Sequence, residues 1–411
     1  MGDHGLEGEL DSFLDGHRCE LINFRRDLHA YPEIGYHEHR TTRRVKLRLE
    51  AAGLRPTILP KGTGLLVNIG SGSGPVVALR ADLDALPISD EKDVPYRSTV
   101  PNACHACGHD VHTTVLLGTA LFLNRVAAAG GLPGRIRLIF QPAEEVPCGA
   151  LDVLAAGGIA SADRIFALHC DPRLDVGKIG TRVGAITAAC DKILVRVTGP
   201  GGHTARPHLT ADLVYALGKI ITELPAALSR RVDPRSSLSL VWGRVSAGTA
   251  ANAIPDDGVA EGTVRCLDDE AWHAAPDLLK ALIESVASAY GVVADLTYQR
   301  SVPPTVNEAI SVAMVEAAAD RVLGTDAVVA APQSLGGEDF AWYLESIPGA
   351  LARLGTRRPG SGDDFDIHQP AFDVDERAIG VGVRLMSATA LTALGAPGTP
   401  APEPLPGAAH A

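Results

Sequence analysis

Short apolar runs alternate with longer apolar or amphipathic segments from residue 76 onward, and this rhythm predicts most of the fold. Segments 76–79, 136–140 and 165–168 are brief and continuously apolar, the pattern of strands buried on both faces. Between the first two lies 111–129, an apolar helix that Gly130-Gly131 can stop. Such alternation predicts an α/β fold, a mixed and largely parallel sheet flanked by helices. Ahead of it, 11–49 reads as charged helix broken at Tyr31-Pro32, because a residue before proline avoids the helical region. A loop containing Gly62, Gly64, Gly70, Gly72 and Gly74 follows.

The rhythm changes from Asp191. Strand 192–197, helix 212–228, strands 237–245 and 259–267, helix 270–290 and strand 292–298 follow in the order β-α-β-β-α-β, which predicts a ferredoxin-like α+β sandwich. After Pro303-Pro304 the helix 308–323 resumes the first pattern, so the sandwich is expected as an insert. The expected organisation is a discontinuous catalytic domain, 1–187 plus 305–394, an inserted lid domain, 188–304, and a Pro/Gly/Ala-rich disordered tail, 395–411.

Composition narrows the function. The 411 residues are 46% hydrophobic and 21% charged, enough for full cores and incompatible with a disordered or collagenous chain. Lys and Arg number 37 against 49 Asp and Glu, and the net charge of -12 has the wrong sign for neutralising phosphates, so no nucleic-acid partner is expected. The first residues carry Asp3, Glu7, Glu9, Asp11 and Asp15 rather than the basic start and apolar run of a secretory signal. No apolar stretch reads as long enough to cross a bilayer, so no membrane partner is expected. Seven cysteines scattered from Cys19 to Cys266 do not resemble a disulfide framework. Together these features predict a cytoplasmic location. Cys19, Cys170, Cys190 and Cys266 read as small buried residues.

The residues after the strands carry the chemistry. Asp82 and Asp84 follow the first, Glu144 and Glu145 the second and His169 the third, all expected just past the carboxyl ends where open α/β sheets bind ligands. The densest run is Cys104-His105-Ala106-Cys107-Gly108-His109-Asp110-Val111-His112. Haem attachment needs histidine directly after the second cysteine, where Gly108 stands. A structural zinc site wants a second Cys/His pair at short spacing, and none follows. An open metal site completed by distant residues is the third reading, and physical arguments favour it. Cys107 and His109 can face one side of a loop turning at Gly108, with Asp110 placed to cap the helix. Thiolate and imidazole suit zinc, manganese or nickel better than magnesium or calcium. Glu144 and Glu145 cannot share one direction, so one can ligate while the other faces a water. Glu338-Asp339 is expected to start a helix. Serine-elbow and phosphate-loop patterns find no match at Gly70-Ser71-Gly72-Ser73-Gly74 or Gly218-Lys219.

The segments Arg25-Arg26-Asp27-Leu28-His29 to Pro32-Glu33, Arg80-Ala81-Asp82-Leu83-Asp84, His105 to Asp110, Gln141-Pro142-Ala143-Glu144-Glu145, Gly201-Gly202-His203, Gly337-Glu338-Asp339-Phe340 and His368 carry a resemblance. In that order they resemble the aminoacylase/carboxypeptidase family of dinuclear metallohydrolases. The similar subgroup holds hippurate hydrolase, N-acyl-amino-acid amidohydrolase and the indole-3-acetyl-amino-acid hydrolases. The resemblance implies two divalent metal ions, zinc or manganese with nickel or cobalt as further options, held by Cys107, His109, Glu145, His169 and His368. It implies Glu144 as general base, Asp84 orienting a metal-bound histidine and His203 at the oxyanion. Asn252 and Arg265 resemble positions that bind the substrate, Glu338 is placed near the site, and Asp82, which the implied ligand set leaves out, is expected to bond backbone groups.

The implied activity is hydrolysis of the amide bond of an N-acyl amino acid, the expected small-molecule partner. A dipeptidase or metallocarboxypeptidase with the same centre is the alternative among enzymes, and a catalytically silent metal-binding relative the alternative outside them. A homodimer through the lid domain is a further expectation. Val111 stands where such relatives often have glycine, and Val146-Pro147-Cys148 replaces a glycine-rich stretch. Both changes are expected to reshape the acyl pocket, and Cys148 is a candidate extra thiol ligand.

Overall fold

All seven residues of the strand Val76–Asp82 are buried, and parallel strands flank it on both sides, Arg135–Gln141 and Arg164–Asp175. A strand with two parallel neighbours and both faces covered has no solvated face, which is why its first four residues are all apolar and its two charged residues, Arg80 and Asp82, are buried too. The structure is a computed structural model that describes residues 3–71, 74–146, 148–362 and 365–395. The expected disordered tail lies outside the described residues apart from Gly395, as do Gly72 and Pro147.

Two units are distinguished, one comprising Met1–Gly184, Asn307–Pro332 and Trp342–Ala411, the other Ala185–Val306 and Gln333–Ala341. In the first, the sheet runs in the spatial order Thr57–Ile58, Leu65–Ile69, Arg135–Gln141, Val76–Asp82, Arg164–Asp175, Gly349–Arg357, Ile179–Thr181, Val328–Ala330. Its four middle strands, from Arg135–Gln141 to Gly349–Arg357, are mutually parallel, while Leu65–Ile69 and Ile179–Thr181 join antiparallel. This is the mixed, largely parallel sheet read from the sequence.

The helices Asp3–Ala30 and His39–Ala51 are separated at the expected Tyr31-Pro32 break. His109–Ala128 buries nearly all its residues, with Asp3–Ala30 and Arg377–Ala393 contributing to the same apolar core. One expectation needs correction here. This helix is long and apolar enough to cross a membrane, but most of it is buried inside the fold. Its apolarity serves the core.

The third strand is also longer than read. Arg164–Asp175 pairs with Gly349–Arg357 from Ile165 opposite Gly349 to Gly355 opposite Asp171. His169 therefore lies within a strand, opposite Arg353, and not beyond its end. The polar run His169-Cys170-Asp171 looked like a strand terminus, yet all three residues are buried.

The second unit contains Ala189–Thr198, Leu213–Arg231, Ser239–Ala247, Asp257–Cys266, Asp269–Ser288 and Val293–Val302. Its antiparallel sheet has the order Ser239–Ala247, Asp257–Cys266, Ala189–Thr198, Val293–Val302, the ferredoxin-like arrangement expected. Residues alternate between buried and less buried along Asp257–Cys266, so one face meets the two helices around Val195, Leu217, Val264 and Leu279. Gln333–Ala341 joins this unit because Ser334 exchanges backbone hydrogen bonds with Ile186 and Ala188. The cysteine reading is corrected at two positions: Cys19 is exposed and Cys190 half-buried, while Cys170 and Cys266 are buried.

Candidate metal centre

The loop before helix His109–Ala128 turns at Gly108, the N-cap, in the left-handed region at φ 84°. A Cβ there would stand 2.8 Å from Cys170 Sγ, so both the backbone conformation and the space demand glycine. Asp110, expected as the cap, has another task. Its Oδ2 accepts from Arg25 Nε at 2.6 Å and from His29 Nδ1 at 2.7 Å, all three residues being buried. It anchors the first helix to the loop, and the cap position falls to a glycine because of the tight approach of Cys170.

Cys107 Sγ lies 3.4 Å from His169 Nε2. The other ring nitrogen of His169, Nδ1, donates to the Cys170 carbonyl at 2.8 Å, which leaves the Nε2 lone pair facing the thiol. Donor atoms of Cys107, His109 and His169 lie within 4.8 Å of one another, as do those of Cys107, Glu145 and His368, and those of His109, Glu144 and Glu145. All five residues expected as ligands, together with Glu144, thus meet in overlapping groups. His109 Nε2 is 3.9 Å and His368 Nε2 3.4 Å from Glu145 Oε1.

Backbone detail fixes this convergence. Asp84 accepts the N–H of Glu144 and of Glu145, each at 3.0 Å, one at each oxygen, and its Oδ1 stands 3.4 Å from His109 Nδ1. Ala143, just before the paired acids, has φ 54°, and its N–H donates to buried Glu38 at 2.7 Å. His368 has φ 63°, and its N–H donates to the Ala106 carbonyl at 2.7 Å. Two non-glycine residues in the left-handed region, one next to the acids and one in the donor set, are strain held by surrounding structure.

The donor set fits cations. Among the described residues, both ring nitrogens of His109 and Oε1 of Glu145 are buried without a hydrogen-bond partner. Burial would lower the His109 pKa, but the carboxylates of Asp82, Asp84 and Glu145 push it up to about 10. Burial and the neighbouring Glu145 and Glu144 push the Cys107 thiol up. The carboxylates' part in both shifts expresses negative charge that divalent cations would neutralise. His169 is held well below the usual histidine range by burial and by Arg353, so its ring is neutral and able to ligate.

Behind the donor set sits a buried relay to which the sequence reading gave no role. Asp82 does not bond backbone groups through its carboxylate as expected: Oδ1 accepts from His112 Nδ1 at 2.6 Å and Oδ2 from Arg80 Nη1 at 2.5 Å. Arg80 Nε continues to Gln141 Oε1 at 2.9 Å, where Tyr343 Oη also donates. The available signal was spacing, since His112 follows His109 by three residues on one helix face.

In the second unit, His203 and Asn252 are exposed and line one cavity of about 570 Å³ with Gly201, Ile254 and Asp256. His203 Nδ1 accepts from Ala205 N at 3.0 Å. Arg265 donates to the Leu335 carbonyl, and Glu338 is buried with Oε1 accepting from Phe340 N at 2.9 Å. The helix expected after Glu338-Asp339 is only the four-residue turn Ala341–Leu344.

Known proteins are similar to this chain over most of its length. A 370-residue stretch is 47% identical to a putative glutamate--cysteine ligase 2-3 of Rhodococcus jostii, covering 90% of this chain but only 46% of that protein. The N-acetylcysteine deacetylase of Bacillus subtilis is 39% identical over 376 residues, 91% of this chain and 97% of its own length. Among solved structures, the Bacillus subtilis YXEP protein, described as a dinuclear metal binding peptidase of the M20 family, superposes with a TM-score of 0.82 at 37% identity. That match covers 93% of this chain and 99% of the other. Residues 78–392 match the peptidase family M20/M25/M40, and the chain belongs to that family.

Proposed function

We propose that this protein is a metal-dependent amidohydrolase that cleaves N-acyl amino acids to a carboxylic acid and a free amino acid. The observation that carries the reading is the convergence of Cys107, His109, Glu145, His169 and His368 beside a further carboxylate, Glu144. We assign these five as ligands of two divalent ions, with zinc or manganese suited by donor type and nickel or cobalt as further options. Such ions acidify water and polarise a carbonyl.

The remaining work falls to the chain. Glu144 takes the proton of the attacking water and returns it to the departing amine nitrogen. Asp84, whose Oδ1 stands 3.4 Å from His109 Nδ1 and whose two oxygens accept the main-chain N–H of Glu144 and Glu145, orients the ligand histidine and fixes the backbone of the base and its neighbour. His203 is assigned to the oxyanion, Asn252 and Arg265 to the amino-acid part of the substrate, and Glu338 to the substrate-facing side of the site. The deacetylase name of the Bacillus subtilis relative supports an N-acyl amino acid as the substrate class.

The test is a substrate panel on protein whose metal content has been measured. Hippurate and a series of N-acetyl amino acids should be hydrolysed, releasing free amine. With two ions per chain confirmed, failure on every conjugate would refute the reading, and faster turnover of dipeptides would favour the peptidase alternative.

All seven cysteines are free, which supports a reducing, cytoplasmic setting. The exposed edge strand Ser239–Ala247 supports a homodimer formed through the second unit, checked by light scattering on the eluting protein.

A further inference from the structure

Cys104 opens the metal-rich run of the sequence, yet the proposed ligand set makes no use of it. Its thiol belongs to a different buried cluster. Lys92 Nζ donates to Cys104 Sγ at 3.3 Å and lies 2.9 Å from Asp90 Oδ1. Lys92 is 5% exposed and Cys104 0%, an unusual depth for a lysine. On the far side of Asp90, Oδ2 stands 3.3 Å from His29 Nε2.

Both partners are fastened. Asp90 accepts the backbone N–H of Lys92 at 3.0 Å and of Ser98 at 2.9 Å, which shapes the loop carrying the lysine. Cys104 exchanges two backbone hydrogen bonds with Leu86, each 3.0 Å. By donor type His29, Asp90 and Cys104 could take a cation, but the Lys92 ammonium already stands against two of the three. What remains is an amine nitrogen within hydrogen-bond distance of a sulfur, each carried on a backbone segment that is itself hydrogen-bonded. Lys92 also lines a surface cavity of about 430 Å³ with Tyr96 and Asp373, an approach for a small neutral oxidant.

We propose that Lys92 and Cys104 form a peroxide-responsive modification site, at which hydrogen peroxide joins Nζ to Sγ through one oxygen atom. The first molecule of peroxide oxidises the thiol to a sulfenic acid and is itself reduced to water. The second removes two more electrons as the nitrogen bonds to that oxygen. In sum, thiol, ammonium and two molecules of hydrogen peroxide give the S–O–N bridge, three waters and one proton. The bridge takes the ammonium charge away from Asp90 and ties its loop to the segment three residues ahead of Cys107.

The full-length protein, loaded with metal, is treated with hydrogen peroxide, then digested and mapped by mass spectrometry without reductant. A cross-linked peptide pair containing Lys92 and Cys104 is expected, heavier than the two free peptides by one oxygen and lighter by two hydrogens, and lost on adding dithiothreitol. Neither Cys104→Ser nor Lys92→Arg, which preserve size or charge, should yield the pair. The wild-type map decides the matter alone if a variant fails to fold. Recovery of Cys104 as a thiol, a disulfide or a sulfinic acid, with Lys92 unmodified, would overturn the proposal.

Discussion

The main-chain N–H of Cys170 donates to Nε2 of His112 at 2.7 Å. That bond puts the His112 proton on Nδ1, where it meets Asp82, and it holds the strand at the residue next to His169. His112 therefore positions a proposed ligand without joining the donor set. Replacing it, as in His112→Ala, is expected to weaken metal binding by about 10- to 100-fold, the usual cost of losing such support. Competition against a chromophoric chelator measures this, and unchanged affinity would remove His112 from the role.

Glu144 has the opposite profile. A Glu144→Gln variant keeps the shape of the side chain and removes the proposed base, so turnover should fall by roughly 10²–10⁴-fold. Elemental analysis should find the same number of ions as in the wild type. Retained turnover would show that another group takes the proton.

Gly108→Ala tests the loop. The residue sits at φ 84° and its new methyl would meet Cys170 Sγ at 2.8 Å, so strain and overlap act together. A loss of about 2 kcal/mol in unfolding free energy is expected, read from urea titration.

His29 sets a pH dependence. Burial would lower its pKa, but the carboxylates of Asp110 and Asp90 outweigh burial and Arg25 and push it up to about 9. A raised folded-state pKa means stability that is fully present below the unfolded value of about 6.5 and lost as pH rises through about 9. The shift corresponds to roughly 3 kcal/mol. Unfolding free energies measured across that window should decline in the wild type, and His29→Gln should lack this decline.

Much of this was legible from the chain. Continuous apolar runs marked the inner strands, and Cys107-Gly108-His109 with Glu144-Glu145 marked the segments whose donor atoms come together. The rest depended on partners distant in sequence. Asp110 looks like a helix cap until Arg25, 85 positions earlier, is seen to claim its carboxylate. His169 looks like a terminus until Gly349–Arg357 is seen to extend the pairing. Asp82 could not be matched to His112 and Arg80 from composition or period, since both bonds are set by how the strand faces the helix.

The main-chain staple between His368 and Ala106 separates where a residue is from what it offers. The bond belongs to the backbone, so it survives any side chain that tolerates the left-handed conformation at 368. Position 368, a proposed ligand, is thus where coordination is tested with the anchor kept: asparagine also tolerates the left-handed conformation and removes the imidazole Nε2 that faces Glu145.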